Sequence, residues 1–345
     1  MLRPILGITM GDAAGVGPEV IVKALSDEEM YRIARPLVYG DAQIMERAVR
    51  IVGAPMKCRA VGNPSDGAYE AETIDIVDLA NLPTDLPFAQ VDGRAGRAAY
   101  EYIERACADA MRREIHAIVT APLNKEALHL GGLNYPGHTE ILGSLMGQTK
   151  YSMMLTSPKL RVIHVTTHIA LHDVPGRVKK ERIADVIALA HDTLQLMGIA
   201  EPRIAVAGLN PHCGEGGLFG DEDDREIVPA VEEARAKGWN VTGPVPPDSV
   251  FHRAANLNEF DIVVVMYHDQ GHIPIKVLGF DSGVNVTVGL PCIRTSVDHG
   301  TAFPVAGTGK ASESSMCEAL KLAAQMAKVK FAAEKIDVPL EVNAN

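Results

Sequence analysis

Three histidines in this sequence each stand just past a short apolar run: His168 after 161–166, His212 after 204–208 and His268 after 262–266. One such histidine is ordinarily a hydrogen-bonded structural group. Three at the ends of buried strands can converge at one rim of a sheet, and three imidazoles with an open position suit a catalytic Zn2+ or a similar divalent ion. His268 is followed four residues on by His272. On a helix that spacing would put both rings on one face. Gly271 between them and Pro274 beyond break a helical pattern, so 262–276 reads as a buried strand ending in a loop, and at most one of the two is expected as a ligand. His164, inside a strand, and His172 and His272, beyond the tight parts of their loops, are set aside as non-ligands.

Other candidates could hold an anion. Lys276, Asn285 and Arg294 are spaced nine apart, across what reads as loop, strand and loop, and could present charge and amide donors to a phosphate or carboxylate. Taken singly, each also fits a solvated surface. His138 and Thr139 stand at the start of an expected helix, where Thr139 either caps the helix or joins His138 in contacting a ligand. The glycine-rich stretch GDAAGVGPE at 11–19, with Pro18 opening a helix, reads equally as a tight strand-to-helix turn or an anion site. It matches neither GxGxxG nor GxxxxGK[ST].

These residues hang on an alternation of short apolar runs and longer helical patterns. Strands are expected at 5–9, 36–39, 74–77, 117–120, 152–156, 161–166, 204–208, 262–266 and 284–288, and helices at 18–25, 42–52, 96–113, 179–197, 225–237 and 312–333. The alternation implies an α/β fold, a largely parallel sheet covered on both faces by helices. Sites on such sheets gather at the carboxyl ends of strands.

The chain has 345 residues, 47% of them hydrophobic, enough for a large core and for two domains or lobes. A net charge of -11 without a basic cluster argues against nucleic acid or an anionic membrane as a bulk partner, so an anionic substrate must be held by a few local cations. Five scattered cysteines with no CxxC pair indicate neither a disulfide framework nor a zinc ribbon, and point to a reducing cytoplasm. No signal peptide or membrane span is expected.

Six motifs, GDAAGVGPE (11–19), PGHTE (136–140), TTH (166–168), NPH with GEGG (210–217), YHDQG (267–271) and RTSVDHGTAF (294–303), together resemble the 4-hydroxythreonine-4-phosphate dehydrogenase (PdxA-like) family over nearly the whole chain. That resemblance implies a two-lobed α/β/α fold like the isocitrate and isopropylmalate dehydrogenases, with a cleft between lobes 1–125 plus 280–345 and 126–279. It also implies a homodimer whose partners complete each other's sites. His168, His212 and His268 carry over as metal ligands, at least one from the partner subunit, for Zn2+ or alternatively Mg2+, Mn2+ or Co2+. His138, Thr139, Lys276, Asn285 and Arg294 carry over as substrate contacts. The loop 299–307 is similar to the NAD-binding loop of the isopropylmalate enzymes, so Gly11, Asp12, Gly15, His299, Gly300, Thr301, Ala302 and Gly307 are expected around NAD. Pro304 stands where relatives usually have Asp, and Ala13 where they often have Pro.

The implied reaction is NAD-dependent oxidation of the secondary 3-hydroxyl of a phosphorylated four-carbon hydroxy acid, with decarboxylation of the 3-keto acid. Family substrates include 4-phosphohydroxy-L-threonine, 4-phospho-D-threonate and 4-phospho-D-erythronate, and a relative acts on a cyclohexadiene cis-diol dicarboxylate. Lys276, Asp248 or Asp269 could relay the proton. From other classes, a metal-dependent hydrolase on the same histidines predicts no NAD binding, and a metabolite-binding protein predicts binding without turnover.

Overall fold

The computed structural model describes residues 3–279 and 283–333; residues 280–282 and 334–345, assigned above to the first lobe, lie outside the described residues. Among the described residues twelve strands form one sheet: β1 (Ile5–Thr9), β2 (Arg35–Gly40), β3 (Lys57–Val61), β4 (Thr73–Asp78), β5 (Ala117–Thr120), β6 (Ser152–Thr156), β7 (Arg161–His164), β8 (Ile204–Ala207), β9 (Val241–Val245), β10 (Ile262–Val265), β11 (Val284–Val288) and β12 (Ile293–Val297). The helices are α1 (Gly17–Leu25), α2 (Glu28–Ile33), α3 (Ala42–Val52), α4 (Gly93–Met111), α5 (Lys125–Leu130), α6 (His138–Leu145), α7 (Val174–Arg177), α8 (Lys180–Leu196), α9 (Val228–Ala236), α10 (Pro247–Ala255), α11 (His268–Gly279) and α12 (Ser314–Ala333).

The strand order is β3-β4-β2-β1-β5-β12-β11-β6-β7-β10-β8-β9. Pairing is parallel from β3 to β12 and again from β7 to β9. Between these blocks β12–β11, β11–β6 and β6–β7 pair antiparallel. The sheet is therefore mixed α/β, and its chain direction reverses where the two parallel blocks are joined.

Central strands are apolar on both faces because both are covered. On β10, Ile262 and Val264 belong to the main core that includes α8 and α9, whereas Val263 and Val265 pack into a second cluster with Val250 of α10 and Ile275 of α11. Edge strands differ: β3 carries Lys57 and Arg59 and is half exposed, and neither it nor β9 has an unbroken apolar run. All five cysteines are free thiols, and no helix among the described residues is long and apolar enough to cross a membrane.

The loop expected after β10 is overturned. The residues after β10 form a helix, α11, with Pro274 inside it. Gly271 does not end that helix; it lets the helix approach β7. A Cβ at Gly271 would lie 2.8 Å from His164 Nε2 and 2.8 Å from Val265 Cγ2. The start of α11 is tied down by Gln270, which accepts from the Met266 N–H at 2.6 Å and donates to the Gly208 carbonyl at 2.7 Å.

Candidate active site

Over the antiparallel centre of the sheet lies a cavity of about 360 Å3. Residues two apart on a strand share a face. Arg294 and Ser296 of β12 and Asn285 of β11 accordingly line this cavity together, with Thr120 at the end of β5. Arg294 is thus a strand residue, and Lys276 a helix residue, where loops were expected at both. The strand IRTSV is wholly buried yet largely polar because Arg294 and Ser296 face the cavity, while Thr295 on the opposite face donates to the Ala319 carbonyl at 2.8 Å.

Arg294 is 2% exposed, donates to Thr287 Oγ1 at 2.9 Å and Thr120 Oγ1 at 2.6 Å, and keeps its Nε without a partner. Burial holds its pKa down to about 10. Beside it, α6 begins with Gly137 as its N-cap, so Thr139 is not the cap; its hydroxyl meets Thr287 Oγ1 at 3.2 Å. His138 Nε2 is buried without a partner, and burial, then the charges of Arg294 and Lys125, hold its pKa well below the ordinary value. The amide oxygen of Asn285 is also buried and unpartnered. Buried polar atoms are normally satisfied. Donor and acceptor atoms left open around one cavity provide for a ligand carrying both anionic groups and hydroxyls.

Two lining cations escaped the sequence reading, Lys125 at the start of α5 and Arg182 on α8. The signal for Lys125 was APLNK following a buried strand; Arg182 had none, being one more basic residue on an amphipathic helix. Lys276 donates to the Asp298 carbonyl at 3.1 Å and pairs with the Asp298 carboxylate, and Asp298 lines the cavity. Of the other proton-relay candidates, Asp269 meets His268, while Asp248 lies on α10, beside the His212 loop.

His168 lines the cavity, and its ring centroid lies 5.6 Å from that of His268, which shares a neighbouring pocket with it. His268 Nδ1 lies 2.6 Å from Asp269 Oδ1, so Nδ1 donates to the carboxylate and the neutral form of the ring has its lone pair on Nε2, the usual preparation of a metal-binding imidazole. Burial, followed by Lys125 and His268, lowers the pKa of His168, which keeps that ring neutral and able to ligate. His212 does not join them, and among the described residues no three His, Cys, Asp or Glu side chains gather in a metal-binding group. It sits in an exposed loop where His212, Cys213 and Glu215 all have left-handed backbone, with φ of 52°, 57° and 47°. Buried Asp223 anchors that loop by accepting from the N–H groups of Leu209 and Asn210 at 2.9 and 3.0 Å.

The two stretches expected around a dinucleotide are in contact. Val16 donates to the Thr301 carbonyl at 3.0 Å, and a Cβ on Gly15 would lie 2.8 Å from Thr301 Cβ. Glu19, buried at the start of α1, accepts from the Gly307 and Gly309 N–H groups at 2.6 Å each. Ala302 adopts φ 44° and Gly307 φ 78° in this turn. His299 and Gly300 line the cavity, whereas Gly11 and Asp12 lie behind its wall, where Asp12 N–H donates to the Pro122 carbonyl at 2.8 Å.

Residues 32–323 match the family model described as "Pyridoxal phosphate biosynthetic protein PdxA". The chain belongs to the PdxA family. Among PdxA relatives, the D-threonate 4-phosphate dehydrogenase of Cupriavidus necator is 55% identical over 325 residues, spanning 94% of this chain and 97% of its own. A 4-hydroxythreonine-4-phosphate dehydrogenase of Desulforapulum autotrophicum is 47% identical over 95% of this chain and 96% of its own. The crystal structure of a 4-hydroxythreonine-4-phosphate dehydrogenase from Burkholderia phymatum superposes with a TM-score of 0.84 at 54% identity, covering 94% of this chain and 99% of that one. These relatives are dehydrogenases.

Proposed function

We propose that this PdxA-family protein is an NAD-dependent, divalent-metal-dependent dehydrogenase that oxidises the 3-hydroxyl of a 4-phosphorylated four-carbon hydroxy acid, with D-threonate 4-phosphate as first candidate, and then releases the carboxylate as CO2. One observation carries the reading: Arg294 Nε, His138 Nε2 and Asn285 Oδ1 stand buried and unpartnered around a single cavity. Such a set suits a substrate offering phosphate or carboxylate oxygens to donors and hydroxyl protons to acceptors. The choice of D-threonate 4-phosphate rests on the relative that is 55% identical.

When bound, the metal supplies charge stabilisation for an ionising hydroxyl and NAD supplies the hydride acceptor. His168 and His268, the latter oriented by Asp269, are the residues of this chain that would hold the ion. Arg294, with Lys125 and Arg182, neutralises the substrate's anionic ends. Lys276, held by Asp298 of the cavity wall, is the group that would take the hydroxyl proton or return one to C2 after CO2 departs. The loop 299–307 meets the cavity through His299 and Gly300, which supports it as the dinucleotide side.

A homodimer with shared sites is part of the proposal. The segments bearing the three histidines also bear exposed apolar side chains: Ile169 and Leu171 beside His168, Leu218 and Phe219 beyond His212, and Ile273 and Val277 on the helix of His268. Covering them with a second copy would exclude water and let the partner's copy of the His212 loop supply the third ligand. The test follows NADH absorbance and CO2 release with D-threonate 4-phosphate, D-erythronate 4-phosphate, 4-hydroxythreonine 4-phosphate and a cyclohexadiene cis-diol dicarboxylate. Failure of every substrate with NAD and added Zn2+, Mn2+, Mg2+ or Co2+ refutes the assignment.

A further inference from the structure

Behind the His168–His268 pair lies a second pair of histidines that the proposed reaction does not use. His164 is fully buried on β7, and His272 follows His268 by one turn of α11. The rings of His268 and His272 are stacked face to face, centroids 3.6 Å apart and planes within 10°. His272 Nδ1 lies 3.1 Å from His164 Nε2 and 3.1 Å from the His268 carbonyl. His164 Nδ1 lies 3.0 Å from the Met153 carbonyl.

These contacts set the tautomers of the neutral His164 and His272 rings. A carbonyl only accepts, so His164 donates through Nδ1 to Met153 and, as a neutral ring, presents a lone pair at Nε2. His272 Nδ1 then faces two acceptors, His164 Nε2 and the His268 carbonyl, and must carry a hydrogen. Its ring plane is held from behind by a fully buried strand residue, and its face covers the ring of His268. Gly271 makes the arrangement sterically feasible, since any Cβ there would meet His164 Nε2.

We propose that His164 and His272 are positioning residues for the metal centre: His164 locks the plane and tautomer of His272, and His272, by stacking, sets the orientation in which His268 presents Nε2. The inference rests on the metal reading of His268 given above. Groups that orient a metal-binding histidine are worth about 10- to 100-fold in metal affinity.

The test uses the full-length protein, Co2+ as probe, affinity by chelator competition, and the visible absorption of the Co2+ form. His268→Ala is the control for the metal reading, and loss of Co2+ binding is expected. His272→Ala is expected to weaken Co2+ about 10- to 100-fold and to alter the absorption bands; His164→Leu should act in the same direction, and the double variant should be no weaker than His272→Ala. His272→Phe, which returns a flat ring to the stack, should recover most of the affinity. Wild-type affinity and spectrum in His272→Ala, with His268→Ala impaired, would overturn the positioning role alone. Unchanged Co2+ binding in His268→Ala would remove the metal reading and this inference with it. A His272→Phe variant as poor as His272→Ala would also overturn the role, because the imidazole itself would then be required. Long-range 1H–15N spectra of metal-free wild-type protein give a check that does not depend on variants folding: His272 is expected as the Nδ1–H tautomer, and an Nε2–H tautomer refutes the chain of bonds.

Discussion

Replacing Arg294 with Met separates stability from binding, because the guanidinium is a buried charge without a carboxylate partner. Its pKa is held down to about 10, well below the ordinary guanidinium value and chiefly by burial, so carrying the charge in the folded state costs about 3 kcal/mol. The charge, and hence the cost, is fully present at neutral pH. Methionine of similar length removes that cost and forfeits two hydrogen bonds to threonine hydroxyls, each worth about 1 kcal/mol net. The ligand-free Arg294→Met protein should therefore be about as stable as wild type or more so, by roughly 1 kcal/mol. Binding should move the opposite way. Truncating one side of a buried charged contact costs about 2–5 kcal/mol, so kcat/KM for the phosphorylated substrate should fall about 30-fold or more. Calorimetric melting with and without 20-fold excess substrate over its wild-type KM measures the first effect, and NADH absorbance the second. A ligand-free variant melting far below wild type would show that Arg294 is structural, and retention of kcat/KM within about threefold would remove it from the substrate site.

Four further outcomes are expected. Mixing inactive His212→Ala and His268→Ala subunits should restore about a quarter of wild-type activity if one intact site forms in each mixed dimer, and no recovery after proven subunit exchange refutes sharing. NAD should be preferred over NADP, since the loop 299–307 has no basic side chain except His299 and nearby Arg47 already donates to the Thr84 and Leu86 carbonyls; Pro304→Asp should widen the ratio of kcat/KM values, and a wild-type preference for NADP overturns the assignment. Gly271→Ala gains about 1 kcal/mol of helix propensity but overpacks against His164 and Val265 at about 1–3 kcal/mol, so melting should fall by a few degrees, and a rise in Tm contradicts the close approach. Burial raises Asp12 from 3.8 to about 6, so its ionised form destabilises the fold above pH 6 and the penalty fades as pH falls towards 4; Asp12→Asn should stabilise at pH 8 and lose that advantage by pH 4, and an advantage growing in acid would refute it.

Strands with both faces covered, such as Ile262–Val265, announced themselves as unbroken apolar runs, and the alternation with helices made the α/β class readable. The same rule hid β12, whose Arg294, Thr295 and Ser296 are buried around a cavity and a helix contact instead of an apolar core. α11 was hidden by Gly271 and Pro274, residues that normally interrupt helices; the close packing of Gly271 on His164 is a tertiary contact with no local signature. The position of three histidines just past buried strands grouped His168, His212 and His268 at one rim, and of these His168 and His268, leaving adjacent strands β7 and β10, are the two that stand together. It could not tell that His212, leaving β8 on the other side of β10, would stand apart within one chain.

The reversal at the centre of the sheet has a consequence for how the chain is made. β11 and β12, residues 284–297, are inserted between β5 and β6, and they bring Asn285 and Arg294 with them. Until a ribosome has delivered these residues, β5 and β6 are raw edges of two separate sheets, rich in Ile, Val, Met and Leu, the kind of edge that recruits other chains. A nascent chain stalled before residue 284 should thus be aggregation-prone and lack the cavity wall formed by Asn285, Arg294 and Ser296. Emergence of one late hairpin joins the two halves and creates the cavity in the same event.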